Sequence, residues 1–224
     1  MKNITALRVG RGRGKRVNVF LDGKFAFILD TGVVTREGLQ IEQALSDEQI
    51  EALTRVDQFH RCLNAASHYL SYRPRSEHEL KEKLRQRGFD DDTQEAVRIK
   101  LKEQGLVDDM AFAQFWKDNR EAFSPRSRRL TGLELRRKGI ANDIIDQVVN
   151  AVDDEDSAYR AAMSRMRSLP RSDYQGFRHR LSEYLKRRGF SYGVINHTVK
   201  RVCQDQTNSS SSQHFSLVQS QEVR

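Results

Sequence analysis

The sequence is poor in cysteine, proline and tryptophan: it has two, three and one in 224 residues. Cys62 and Cys203 stand far apart with no CxxC spacing, which excludes a disulfide scaffold and offers no ligand set for zinc. A reducing cytoplasm is the expected compartment. Long apolar runs are also missing. The longest strongly apolar stretch, FAFIL (25–29), falls far short of a membrane span, and the opening MKNITALRVG has no apolar region of the kind an export signal needs. With 37% hydrophobic residues, 31% charged residues and a mean hydropathy of -0.74, the composition argues against one thick core and for an elongated body rich in surface.

Cations are in excess. The 39 Lys and Arg outnumber the 31 Asp and Glu, giving a charge of +8 at pH 7 and favouring acidic partners. The acids are nevertheless interspersed with the bases, as on any solvated helical surface.

Residues 1–45 read as a small N-terminal β element. VNVFLDGKFAFIL (17–29) sets β-branched and aromatic residues on both sides of Asp22-Gly23, the dipeptide whose two residues tolerate the positive φ of a hairpin turn. A hairpin or three-stranded sheet is expected, with ITALRV (4–9) as the third strand. The loop VGRGRGKR (9–16) lacks the Gly and Ser/Thr spacing of a phosphate-binding loop. It reads as an exposed hairpin loop or, functionally, as a basic finger for phosphate. From Ser46 the periodicity becomes helical: Ser46 and Gln49 form a capping box, Ile50, Leu53, Val56 and Phe59 follow, and the helix runs on through Leu63, Ala66 and Leu70 until Pro74.

One phrase then recurs. PRSEHELKEKLRQRGF (74–89) aligns with PRSRRLTGLELRRKGI (125–140) at a constant offset of 51, and Gln175–Phe190 aligns on the second copy at an offset of 50 without the Pro or the Ser cap. Tandem three-helix repeats are expected over 46–107, 108–153 and 154–205, in an elongated curved array, with a disordered tail over 206–224. The middle helix of each repeat starts at Ser76 or Ser127, turns Leu80 and Leu84, or Leu133 and Leu135, inward, and stops at Gly88, Gly139 or Gly189. The glycine takes a left-handed conformation and the next residue, Phe89, Ile140 or Phe190, packs back. Connecting helices are expected near 109–122 and 156–168, carrying Phe112, Phe115 and Trp116, and Tyr159, Met163 and Met166. Third helices carry Ala96, Val97 and Leu101; Ile144, Ile145, Val148 and Val152; and Val194, Ile195, Val199 and Val202.

The basic clusters ending the middle helices are Arg85 and Arg87; Arg136, Arg137 and Lys138; and Lys186, Arg187 and Arg188. Cations near a helix C-terminus complement the macrodipole, which accounts for one or two per helix. Three consecutive bases cover about 200° of the helix circumference and exceed that need. They predict a periodic basic ridge, extended by Arg73, Arg75, Arg126, Arg128 and Arg129, facing an anionic groove or a phosphate backbone. Sequence-specific reading is not expected, because no copy has a helix with Asn, Gln and Arg gathered on one face. The acidic runs Asp90–Asp92 and Asp153–Asp156 precede expected helices, where negative charge is favoured. The six histidines are scattered, so neither a metal, a cofactor nor a catalytic residue is expected.

YRPRSEHELKEKLRQRGF (72–89), GLVDDMAFAQFWKDNR (105–120) and FSPRSRRLTGLELRRKGI (123–140) resemble the bacterial RecX family, regulators of the RecA recombinase. LSEYLKRRGFSYGVI (181–195) and VNVFLDGKFAFIL fit the same pattern, so the resemblance spans residues 4–203. Ser124-Pro125 departs from the more usual Gly-Pro. The resemblance implies a non-enzymatic monomer lying in the groove of the RecA–DNA filament, inhibiting its ATPase, strand-exchange and coprotease activities, and contacting single- or double-stranded DNA directly or through RecA, with no membrane partner. The alternative is a helical nucleic-acid-binding or transcription regulatory protein that acts without RecA.

Overall fold

The computed structural model describes residues 1–10, 16–168 and 174–219, with side chains described as far as residue 205. The centre of the 9–16 loop therefore lies outside the described residues. The chain divides into two compact units, Met1–Asp108 and Asp109–Arg224.

The first unit opens with strands β1 (Lys2–Val9), β2 (Arg16–Leu21) and β3 (Lys24–Asp30). The hairpin turn falls on Asp22 and Gly23, at φ 49° and 81°. Alternation along β2 buries Val17, Val19 and Leu21. The sheet is larger than the hairpin or three strands read from the sequence. Antiparallel to β1 lies a fourth strand, β4 (Ala44–Leu45), giving the order β3-β2-β1-β4. Along the chain α1 (Thr31–Arg36) separates β3 from β4; it is capped by Asp30, which accepts from the Gly32 N–H at 2.8 Å.

Helix α2 (Asp47–Leu70) starts with both halves of the capping box between Ser46 and Gln49. It serves two cores. Its first half closes the sheet core of Ile4, Val19, Leu29 and Val33 through Leu53. Its second half supplies Cys62 and Ala66 to a core made with α3 (Glu77–Gln86) and α4 (Asp91–Glu103) through Leu80, Leu84, Val97 and Leu101. Burial, aided by the charge of Asp90, pushes the Cys62 thiol up to about 11, so it stays protonated and inert at neutral pH. A charged latch ties α2 to the sheet: Asp57, only 4% exposed, accepts the Asp30 N–H at 2.6 Å and Arg16 Nη1 at 3.2 Å.

The second unit holds α5 (Asp109–Phe123), α6 (Arg128–Arg137), α7 (Asn142–Val149), α8 (Asp154–Met166), α9 (Tyr174–Arg187) and α10 (Tyr192–Gln219). One core gathers Phe112, Ala113, Leu135, Ile145 and Val148 from α5 to α7, and another gathers Ala158, Ala162, Leu181, Leu185 and Val199 from α8 to α10. Two expectations are corrected. Leu133 is half-buried, because residues two apart cannot share a helical face; the inward pair on α6 is Thr131 and Leu135. On α8, Ser157, Ala158, Ala161 and Ala162 are buried, and Tyr159, Met163 and Met166 pack against that core as the sequence pattern expects. Helix α10 continues past Gln206, where the sequence was read as losing order; neither Gly nor Pro occurs after Gly193 to stop it. The side chains of the Ser-rich stretch lie outside the described residues.

All three middle helices end alike. Gly88, Gly139 and Gly189 have φ of 79°, 79° and 86°, and the N–H of the next residue returns to the carbonyl of Leu84, Leu135 or Leu185 at 3.4, 3.2 and 3.4 Å. The third ending also docks on α6: the Ser127 N–H donates to the Arg188 carbonyl at 3.0 Å, and a Cβ on Gly189 would lie 2.6 Å from Ser127 Oγ and 2.8 Å from Leu130 Cβ. A Cβ on Gly88 would meet nothing within 4 Å.

This contrast separates backbone strain from packing. Gly88→Ala should cost about 1–2 kcal/mol, the left-handed penalty alone. Gly189→Ala should cost about 1–3 kcal/mol more, because the added methyl overlaps α6. Urea midpoints of the two variants measure the difference, and equal losses would show that Ser127 and Leu130 give way freely.

Candidate filament and nucleic-acid interface

Of the thirteen bases singled out in the sequence, Lys138 is half-buried beside the Trp116 ring, and the other twelve divide into two groups. Five are committed to contacts within the chain. Arg73 makes a two-pronged bridge to Glu79 at 3.0 and 3.2 Å. Arg75 lies over the Tyr69 ring, 4.1 Å from its centroid. Arg128 donates to the Val152 carbonyl at 3.0 Å while its own N–H binds Asp154. Arg188 reaches from the end of α9 to Ser124 Oγ at 3.0 Å and the Pro125 carbonyl at 2.9 Å, and stacks on Tyr184. Ser124, the residue at which the family pattern more usually has Gly, thus supplies an acceptor that glycine lacks.

The fifth, Arg126, belongs to a cluster the sequence reading missed. Glu134 on α6 pairs with Arg126 and accepts from Arg120 Nε at 2.8 Å and Trp116 Nε1 at 2.9 Å. Its side chain is 11% exposed, so the carboxylate is largely removed from water. Burial lowers the pKa of both arginines, and for Arg126 the neighbouring Arg120 and Arg188 act in the same direction. Arg120 and Lys138 also sit 4.4 and 5.0 Å from the Trp116 ring centroid. Glu134 is the only acid between residues 126 and 138, and an isolated carboxylate among bases was the available clue.

The rest of the ridge faces outward. Arg85 and Lys186 make exposed pairs with Glu82 and Glu183, at 3.1 and 3.6 Å. Arg136 donates to Asn142 at 3.2 Å. Arg87, Arg129, Arg137 and Arg187 are exposed and have no ion pair among the described residues. Exposed pairs contribute roughly 0–1 kcal/mol, so Arg85 and Lys186 remain available to a stronger anion. Each repeat therefore presents exposed cations at the end of its middle helix.

The acidic runs have structural work. Asp90 caps α4 by accepting the Thr93 N–H at 2.8 Å, and Asp153 caps α8 through the N–H groups of Glu155 and Asp156. Among the described residues no group of three His, Cys, Asp or Glu side chains is placed to hold a metal, and no helix is long and apolar enough to cross a membrane.

The comparisons with known proteins agree with this organisation. The model of the regulatory protein RecX N-terminal domain matches residues 2–46, and those of the first, second and third RecX three-helix domains match residues 62–101, 108–149 and 153–199. The chain is 28% identical over 207 residues to the regulatory protein RecX of Clostridium perfringens strain SM101, covering 90% of this chain and 97% of that protein. It is 27% identical over 194 residues to that of Listeria welshimeri, covering 85% and 72%. A crystal structure of a regulatory protein RecX superposes with a TM-score of 0.61 at 25% identity, over 88% of this chain and 98% of that one. RecX from Lactobacillus salivarius shares the fold, with a TM-score of 0.56 at 23% identity over 66% and 99%.

The division of the bases is testable by stability. Glu134→Ala strips Trp116, Arg120 and Arg126 of a shared acceptor and should cost about 2–4 kcal/mol, somewhat below a fully buried pair because the arginines keep some solvent. Arg137→Ala should change stability by less than about 0.5 kcal/mol. Urea denaturation checks both, and equal values would remove the distinction.

Proposed function

The chain belongs to the RecX family of regulatory proteins, and from that premise we propose that it binds the RecA–DNA filament and inhibits or modulates its ATPase, strand-exchange and coprotease activities. It acts by contact and turns over no substrate of its own. The observation that carries this reading is the placing of exposed cations at the same end of three successive three-helix repeats. A DNA-bound filament repeats its own surfaces and phosphates. A monomer with several such contacts gains effective concentration from each after the first, so weak individual sites add up to firm binding. Direct DNA contact through Arg87, Arg129, Arg136, Arg137, Lys186 and Arg187 fits the same chemistry, and the five bases held inside the chain act by shaping the repeats.

The test is RecA's DNA-dependent ATPase and repressor cleavage with substoichiometric purified protein. Inhibition of both is expected. Loss of inhibition with DNA binding intact in the absence of RecA would favour a regulator that acts on nucleic acid alone. Reversing Arg136, Arg137, Lys186 and Arg187 to Glu should weaken filament association by about tenfold or more, since like charges placed at an interface cost several kcal/mol. The circular dichroism of the variant should match that of the parent chain, because none of the four holds a buried partner.

A further inference from the structure

The first and third repeats carry a groove in the same place, between the middle and third helices, with opposite chemistry. In the first repeat it measures about 270 Å³ and is lined by Leu80 and Leu84 together with Lys81, Asp91, Glu95 and Arg98. In the third repeat, between α9 and α10, it measures about 630 Å³, within the range of about 300–1,000 Å³ that small-ligand clefts occupy. Arg178, His179, Lys186, Tyr192 and Asn196 are among its walls.

Placing the third repeat on the first through the same alignment pairs Glu77 with Arg178, Asp91 with Tyr192 and Glu95 with Asn196. Three carboxylates give way to a cation, an aromatic ring and an amide. In the first repeat the acids have a structural use. Glu77 accepts from Arg98 and from Lys102 Nζ at 2.6 Å, and Glu95 accepts from Arg98 Nε at 2.9 Å, so the cation is neutralised on the spot. Burial pushes the Glu77 carboxyl up, but its bonds to Lys102 and Arg98 outweigh this and hold it below its ordinary value. In the third repeat Arg178 has no ion pair among the described residues and lies 5.8 Å from the Tyr174 ring centroid. The one carboxylate in the groove, Glu183, is 3.6 Å from Lys186. Tyr192 is 79% exposed, although a tyrosine in a helical protein gains stability by burying its ring.

An exposed ring beside an unpaired arginine and a lysine held only by a loose surface pair matches one ligand class. Phosphates are held by the cations and an unstacked base lies on the ring, a combination that a duplex cannot satisfy because its base faces are already covered. We propose that the groove between α9 and α10 binds single-stranded nucleic acid, with Arg178 and Lys186 on phosphate and Tyr192 stacked on a base, and that the acidic groove of the first repeat rejects the same ligand. The inference rests on the reading that this chain works on a DNA-bound filament, and it places the contact specific to single strands in one repeat of the three.

Fluorescence anisotropy of the full chain with a labelled oligothymidylate, and with a duplex of equal length, tests it. Tyr192→Ala should weaken single-strand binding about fivefold or more and leave duplex binding nearly unchanged, while Tyr192→Phe keeps the ring and the affinity. Arg178→Gln should reduce the slope of log affinity against log salt by about 0.7. Lys81→Gln, in the first groove, should change neither. Both Tyr192→Ala and Arg178→Gln lie on exposed side chains, and thermal midpoints confirm that they fold. Wild-type affinity in both variants would overturn the proposal, as would equal losses on single strand and duplex. RecA ATPase assays on the same proteins keep the two readings apart. Inhibition of RecA by a chain that binds no oligothymidylate overturns the groove alone. Groove-dependent oligothymidylate binding without any effect on RecA supports the groove and removes the filament function. Loss of filament association with oligothymidylate binding intact would mean the groove holds protein, and overturns its assignment to nucleic acid.

Discussion

A helix of ten residues does not hold together alone in water, and both α3 and α6 have only ten. Each is closed by the same backbone bond, from the residue after a left-handed glycine to the carbonyl of a buried leucine. That bond fixes where the chain turns, and the turn sends the following apolar residue back onto the helix. The direction of the third helix, and with it the core of each repeat, depends on this closure. A charged side chain near the helix end is free to serve other purposes because the last carbonyls are already engaged.

Much of this was legible because it is written in local rules. The hairpin at Asp22-Gly23, the capping box at Ser46, the stop at each glycine and the offsets between repeats all depend on neighbouring residues. What escaped depends on distant ones. Helix α1 is six residues rich in Thr and Val, whose propensity points to strand, and β4 is two residues whose pairing with β1 no local pattern announces. Asp57 sits in a helical sequence as any surface acid would, yet it holds a strand N–H and Arg16 from 27 and 41 residues away.

The bases show the same limit more sharply. Arg126 and Arg137 look alike in the sequence, but one is bound to a largely buried carboxylate and the other stands in water. Arginine suits both uses because its planar fork can be satisfied by a glutamate, a carbonyl and an aromatic face, or left for an outside anion. A count of cations therefore overstates the surface offered to a partner, and here Arg73, Arg75, Arg126, Arg128 and Arg188 are subtracted from it. Glu134 marks the difference, since it gathers Trp116 and Arg120 from α5 and Arg126 from the loop that precedes its own helix.

Helix α2 belongs to the sheet by its first half and to the first repeat by its second. With 24 residues it is about 36 Å long, and no break in it separates the two cores. It is a suture between parts that the family's domain divisions treat as distinct. A genetic crossover falling inside it would join half of one core to half of another and leave both without a matched partner.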